Sequence, residues 1–168
     1  MMRFSAVFLL VLAVAGCAGG YSWRSRVPER MRTVSVPVFR NESSVTEFGS
    51  VATRQILREF QREGTFKVAD AAGSALEIQG VVKSVNVDVL GYNRRAGLRL
   101  SNYDISAEVE ISVVDKTKGK LLVDNKVYRA EATFIANDDH MTSRRDASGR
   151  LAEELARQIV DDVLDMKW

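Results

Sequence analysis

The sequence predicts an α+β fold: a two-layer sandwich with two helices packed on one face of a mostly antiparallel mixed sheet, in the order β-α-β-β-β-α. Three observations carry this. Residues 46–63 and 147–165 each repeat apolar side chains every three or four positions, the mark of an amphipathic helix. Tyr103, Ile105, Ala107, Val109, Ile111 and Val113 alternate with polar Asp104, Ser106, Glu108, Glu110 and Ser112, giving a strand with one buried and one wet face. The helices bracket the longest strands, so both can cover the same apolar face.

The first strand is expected over 32–39, where Val34, Val36 and Val38 alternate with Thr33, Ser35 and Pro37. Pro37 carries no amide hydrogen and places that segment at an edge or a strand end. Residues 40–44 form a polar turn, and Thr46 is a candidate cap for the helix that follows. Phe48, Ala52, Ile56 and Phe60 line its buried stripe, Arg54, Arg58, Glu59 and Arg62 its wet side, and Gly64 stands where a C-terminal cap belongs. A further extended segment at 66–68 makes a crossover unit with parallel strands. From Leu76 the apolar phase runs through Ile78, Gly80 and Val82, then flips to Val85, Val87 and Val89. With a side-chain period of two, that flip calls for a bulge or bend near Lys83-Ser84. The strand beginning at Tyr103 ends in a turn at 115–120, and residues 121–134 return as a less regular strand. Residues 137–146 read as a polar loop containing His140. The closing helix buries Leu151, Leu155, Ile159 and Val163.

The N-terminus has the three parts of an export signal: Arg3, an apolar run from Phe4 to Ala13, and small residues before a cysteine. The run is too short to span a bilayer, which takes about 20 apolar residues. Val14-Ala15-Gly16-Cys17 resembles the bacterial lipobox, which implies cleavage after Gly16, a diacylglycerol thioether on Cys17 and acylation (palmitate-type) of its new amine. An ordinary signal peptide with a stray cysteine is the alternative. Cys17 is the only cysteine in the chain, so an exported protein would have no internal disulfide for it. Ala18, where an inner-membrane lipoprotein often has Asp, favours sorting to the outer membrane. The expected organisation is therefore a signal over 1–16, a lipidated cysteine and tether over 17–30, and a single domain over 31–168.

Of the 24 basic residues only Arg3 falls in 1–16, which leaves 23 against 22 acidic. Such a balance argues against a general nucleic-acid binder. No Gly-x-Ser-x-Gly elbow lies near His140, the sole histidine. No Cys/His spacing suits zinc, and no glycine-rich loop precedes a helix as a phosphate cradle would. Neither catalysis, a metal nor a cofactor is expected. The one local concentration is Tyr92-Asn93-Arg94-Arg95-Ala96-Gly97-Leu98-Arg99, which joins two long strands, with Arg144-Arg145 in the loop after the last strand. If both loops reach the same end of the sheet, the arginines suit a phosphorylated amphiphile, because guanidinium meets phosphate bidentately. The alternative is a solvated hairpin with no ligand.

The whole mature chain resembles the LptE family of lipopolysaccharide-assembly lipoproteins. The resemblance rests on Cys17 followed by Gly20-Tyr21, the strand Val34-Ser35-Val36-Pro37-Val38-Phe39 leading into Arg40-Asn41-Glu42-Ser43 and a helix, and Ala75-Leu76-Glu77-Ile78-Gln79-Gly80. Tyr103-Asp104-Ile105 after a basic, glycine-containing loop and the C-terminal helix complete it. The family usually has Cys-Gly-Tyr, whereas Ala18-Gly19 intervene here. The resemblance implies an outer-membrane, periplasm-facing lipoprotein that plugs and helps assemble the LptD β-barrel and helps deliver lipopolysaccharide to the outer leaflet. Carried across by position, Arg94, Arg95, Arg99, Arg144 and Arg145 would meet lipopolysaccharide. The strand with its Val-x-Val-x-x-Phe-x-Asn pattern, the helix and Gly64-Thr65-Phe66-Lys67-Val68 also resemble LpoB- and CsgG-like periplasmic lipoproteins, activators or secretion components. Those usually place more helices between strands.

Overall fold

The crossover unit forms first in sequence and lies at one side of the sheet. In the computed structural model, which describes residues 27–95, 98–136 and 140–168, β1 (Thr33–Ser35) runs parallel to β3 (Lys67–Val68) and β4 (Leu76–Arg95). Between β1 and β3 lies α1 (Phe48–Glu63), which buries Phe48, Ala52, Ile56 and Phe60 as the spacing predicts. It ends at Gly64 with φ 83°, a left-handed conformation that glycine adopts without strain. At its start Thr46 does not serve as the cap: the N-cap position is Glu47, which makes no side-chain capping bond.

The first strand is shorter than its valines suggest. Val34 and Ser35 are both buried, Val38 is 73% exposed, and the pairing stops at Ser35. Pro37 accounts for the break, since it cannot donate to a ladder. The chain rejoins the same edge of β4 as β2 (Arg40–Asn41), opposite Val81 and Val82. In the gap Phe39 turns inward and fills the space over Gly80. Its backbone N–H donates to Thr53 Oγ1 at 3.0 Å, and that hydroxyl donates to the Gly49 carbonyl at 2.8 Å. A buried hydroxyl thus satisfies the amide that the broken strand leaves over.

β4 pairs antiparallel with β5 (Leu98–Asp115), which pairs with β6 (Lys120–Ala136). The sheet order is β3-β1-β4-β5-β6, with β2 beside β1 along β4, so β6 is an edge. The predicted phase flip is a register shift between Val82 and Ser84, and a second shift follows between Val89 and Gly91. β6 is irregular as well: its register slips near Val113, and Asn125 has φ 42°. In the tight turn from β5 to β6, Asp115 Oδ1 accepts from the Thr117 amide and hydroxyl and from the Lys118 amide, and Gly119 supplies a positive φ.

The last helix, α2 (His140–Leu164), starts well before the expected position near residue 147. Met141 to Asp146, read from sequence as loop, are its first turns. Their polarity reflects exposure and not the lack of a helix: no proline or glycine interrupts them, and Ser148 Oγ donates to the Arg144 carbonyl one turn back at 2.9 Å. Both helices cover one face of the six-stranded mixed sheet. Their stripes meet Ile78, Val82, Ile105, Val109 and Ile111 in a single core that includes Val27 and Met31. Lys126 Nζ and the Tyr128 hydroxyl both donate to Asp162 Oδ2, at 2.7 and 2.5 Å, tying β6 to α2.

The molecule has two ends. One carries the hairpin tip between β4 and β5, the end of β6 and the starts of both helices. The other carries Val27, the β5–β6 turn and the C-terminal Trp168, which packs on Phe66. Twenty residues at about 3.3 Å per residue make β4 roughly 65 Å long, against roughly 24 Å for the 16 residues of α1. The hairpin therefore runs out past α1, and Val87 and Val89, on the helix-facing side, become exposed.

Candidate functional site

Asn41 organises the wall of a groove at the hairpin end. Its Nδ2 donates to the carbonyls of Val45 and Thr46, at 2.8 and 3.0 Å, while its Oδ1 accepts from the Ser43 amide and hydroxyl. This folds residues 41–46 into a compact turn and delivers Val45, Thr46 and the start of α1 to one side of the groove. Lys83, at the first bulge, holds Glu42 at 2.6 Å, and Arg40 holds it at 3.0 Å. The hydrogen bond from Lys83, opposed by burial, keeps the Glu42 carboxyl below the usual range. The turn is thereby fastened to β4.

The opposite side of the groove comes from the first turns of α2: Met141, Arg144, Arg145 and Ser148. Between the walls lies a cavity of about 320 Å³ whose lining also includes Val51 and Phe48. Arg144 and Arg145 thus line the groove beside apolar surface at the start of α1, the positive end of its dipole, together with one carboxylate, Glu47. Met141 is 69% exposed, so apolar surface continues outward from the groove. Such a lining suits a ligand with an anionic head and an apolar body.

The structure brings Arg144 and Arg145 into this groove, but as helix residues and not as the loop residues the sequence suggested. Arg94, Arg95 and Arg99 lie at the same end of the sheet, on the ladder and not in an open loop. The pairing continues through Tyr92 with Ser101 and Asn93 with Leu100 to Arg94 with Arg99 and Arg95 with Leu98. The β6 ladder ends at Ser101 with Ala136, so Arg99 lies two positions beyond it. Arg94 and Arg99 are opposite one another in register. Cys17, with the signal and the tether to residue 26, lies outside the described residues.

Sequence reasoning missed Arg150, whose guanidinium donates to the Thr133 carbonyl at 3.2 Å and ties α2 to the β6 edge. It also missed the groove itself, because Val45 and Met141 belong to no periodic stripe. Among the described residues no three His, Cys, Asp or Glu side chains cluster to hold a metal, and no helix is long and apolar enough to cross a membrane.

Residues 31–163 match the family model LptE, described as lipopolysaccharide-assembly. Comparison with curated proteins finds no match. Among solved structures the chain is similar to the hypothetical protein CT253 from Chlamydia trachomatis, at 15% identity and a TM-score of 0.53, covering 80% of this chain and 96% of that one. It is also similar to a neuraminyllactose-binding hemagglutinin homolog from Helicobacter pylori, at 12% identity and a TM-score of 0.51, covering 86% and 89%. A minor lipoprotein from Acinetobacter baumannii follows at 10% identity and a TM-score of 0.47, covering 80% and 93%. At these identities the likeness to the first two concerns the fold alone.

Proposed function

The chain belongs to the LptE lipopolysaccharide-assembly family, and from that premise we propose that it is a non-enzymatic outer-membrane lipoprotein that plugs and helps assemble an LptD-type β-barrel. In this reading Cys17 carries the lipid anchor and the domain faces the periplasm. Lipopolysaccharide passing to the outer leaflet meets Arg144 and Arg145 in the groove and Arg94, Arg95 and Arg99 along the hairpin tip. The observation that carries the ligand contact is the groove: two arginines set against Val45, Val51 and Met141 match a molecule with phosphates on an acylated body. Arginine's planar fork supplies two parallel hydrogen bonds to a phosphate, and the apolar wall receives the acyl portion.

The test of the partner is a tagged pull-down from detergent-solubilised outer membranes with mass spectrometry. A stoichiometric large β-barrel supports the reading, whereas a cell-wall synthase or a secretion pore replaces it with an LpoB- or CsgG-like role. The test of the ligand is lipopolysaccharide binding by Arg144→Glu/Arg145→Glu and by Arg94→Glu/Arg95→Glu/Arg99→Glu. Each variant should bind at least about tenfold more weakly, since a lost charge-assisted hydrogen bond is worth about 1.5–3 kcal/mol. Binding equal to that of the unaltered protein would return those arginines to the solvated surface.

A further inference from the structure

We infer that the end of the domain opposite the hairpin is a docking surface for anionic lipid headgroups, and that it seats the domain on the membrane holding its anchor. The observation is a second cleft, of about 400 Å³, at the end that carries Val27 and Trp168. Its lining includes Arg30, Lys118, Lys120 and Lys167. These come from three separate places: the 3-10 turn Glu29–Met31, the β5–β6 turn and the C-terminus. All four are exposed, and none forms an ion pair among the described residues. The side-chain carboxylate in the cleft lining, Asp115, is buried and accepts from the Thr117 and Lys118 donors of its own turn, and the other anion there is the chain-terminal carboxylate of Trp168. In a protein with a net charge of only +2, four exposed cations against the buried Asp115, which Lys118 faces, and one chain-terminal carboxylate are a local excess of positive charge.

Apolar surface accompanies the charge. Leu121 and Leu122, next to Lys120, are 45% and 36% exposed, and Met31, Met166 and Trp168 line the same cleft. Cations around exposed leucines form the pattern of a surface that lies on headgroups and dips slightly below them. The chain's own path supplies the geometry. Nine residues, 18–26, separate Cys17 from Val27, and even fully extended they reach only about 33 Å. The anchor therefore cannot let this end travel farther from the bilayer than about one domain length. Arg24 and Arg26 lie within that short segment. They add to the basic character, and they make the segment itself an unsuitable occupant of an already basic cleft. An anionic bilayer surface complements all of these charges at once, each contributing attraction within a Debye length.

This inference rests on the lipid-anchor reading, and its test is built to fail separately from it. The mature chain with Cys17→Ser, which cannot be acylated, is sedimented with vesicles of phosphatidylethanolamine and phosphatidylglycerol, and with vesicles of phosphatidylcholine alone. The expected result is binding to the anionic vesicles only, abolished by high salt. The variant Arg30→Gln/Lys118→Gln/Lys120→Gln/Lys167→Gln should lose at least about a hundredfold in partition coefficient, at roughly fivefold per cation near the surface. Its fold is checked by circular dichroism. If it does not fold, the salt titration of the Cys17→Ser chain and the single variants Lys118→Gln and Lys167→Gln decide. Binding that is absent, indifferent to salt, equal on neutral vesicles or unaltered by the substitutions overturns the inference. Fractionation of the acylated wild type reports on the anchor independently.

Discussion

Substituting Gly80 by Ala tests the packing that bridges the break in the first strand. A Cβ at Gly80 would lie within 2.5 Å of Cδ2 and Cζ of Phe39, where carbon atoms normally sit about 3.5–4.0 Å apart. The ring must therefore retreat by about 1 Å, and little allows it to. Phe39 is 3% exposed, its amide is held by Thr53, and its carbonyl oxygen lies so near Gly49 that a Cβ there would come within 2.8 Å of it. Overpacking a rigid site costs about 1–3 kcal/mol, and expelling the ring would cost about 3–5 kcal/mol. The expected loss is about 2–4 kcal/mol. With a urea dependence of about 2 kcal/mol per M for a domain of this size, the unfolding midpoint falls by about 1–2 M. In any other strand interior the same change would be neutral or stabilising. The control is the same substitution in a Phe39→Ala background, where the methyl enters vacated space and should cost under about 1 kcal/mol. A double-mutant cycle by urea denaturation measures the coupling. Equal costs in the two backgrounds would refute the argument that Phe39 makes glycine necessary at position 80.

Other outcomes are expected from other parts of the molecule. Leu155→Asp, which buries a carboxylate in the fully buried stripe of α2, should destabilise by more than about 4 kcal/mol and leave little cooperative melting transition; an unaltered melting temperature would contradict the packing. Burial is the largest single influence on the Asp162 carboxyl and raises it, but the hydrogen bonds from Lys126 and Tyr128 and the Lys126 charge together outweigh it, so its folded value is depressed. Hydrogen bonds to Arg157 and Gln158 likewise depress Glu154. Their stabilisation is present above about pH 4 and is lost as pH falls through the depressed values, so a pH series of melting temperatures should decline on the acid side, less so in Asp162→Asn. Burial, reinforced by Asp162, pushes the Tyr128 phenol up. That stabilisation is complete below about pH 10 and is lost as pH rises beyond it, so Tyr128→Phe should flatten the alkaline limb. Cys17→Ala should give a soluble or unprocessed protein in membrane fractionation; an outer-membrane product would contradict lipidation.

Periodicity made the covered half of the molecule legible. The stripes of both helices, the alternation of β5 and the bulge between Val82 and Ser84 are consequences of which side chains must leave water, and a sequence records that directly. What escaped depends on contacts between distant residues. Val38 continues the alternation of Val34 and Val36 yet ends up in solvent, because the Pro37 break and the pull of Phe39 toward Gly80 outweigh local pattern. The first turns of α2 look like loop in the sequence because hydropathy cannot distinguish an exposed helix from an exposed coil. The groove was not legible: nothing local in Arg144-Arg145 announces that the turn around Asn41 will face them.

The irregularity of β6 bears on how readily copies of this domain can pair edge to edge. A 17-residue edge strand offers a row of backbone donors and acceptors to any similar strand that drifts alongside, and an anchor would confine such encounters to two dimensions. Asn125, at φ 42°, bends the row partway along, and Lys120, Asp124, Lys126, Arg129 and Glu131 stud it with exposed charge. The bend that costs β6 its regular register thus acts as insurance against edge-to-edge polymerisation. A straight, valine-rich β6 would pair more perfectly with β5 and offer any neighbouring strand a flatter, less charged edge.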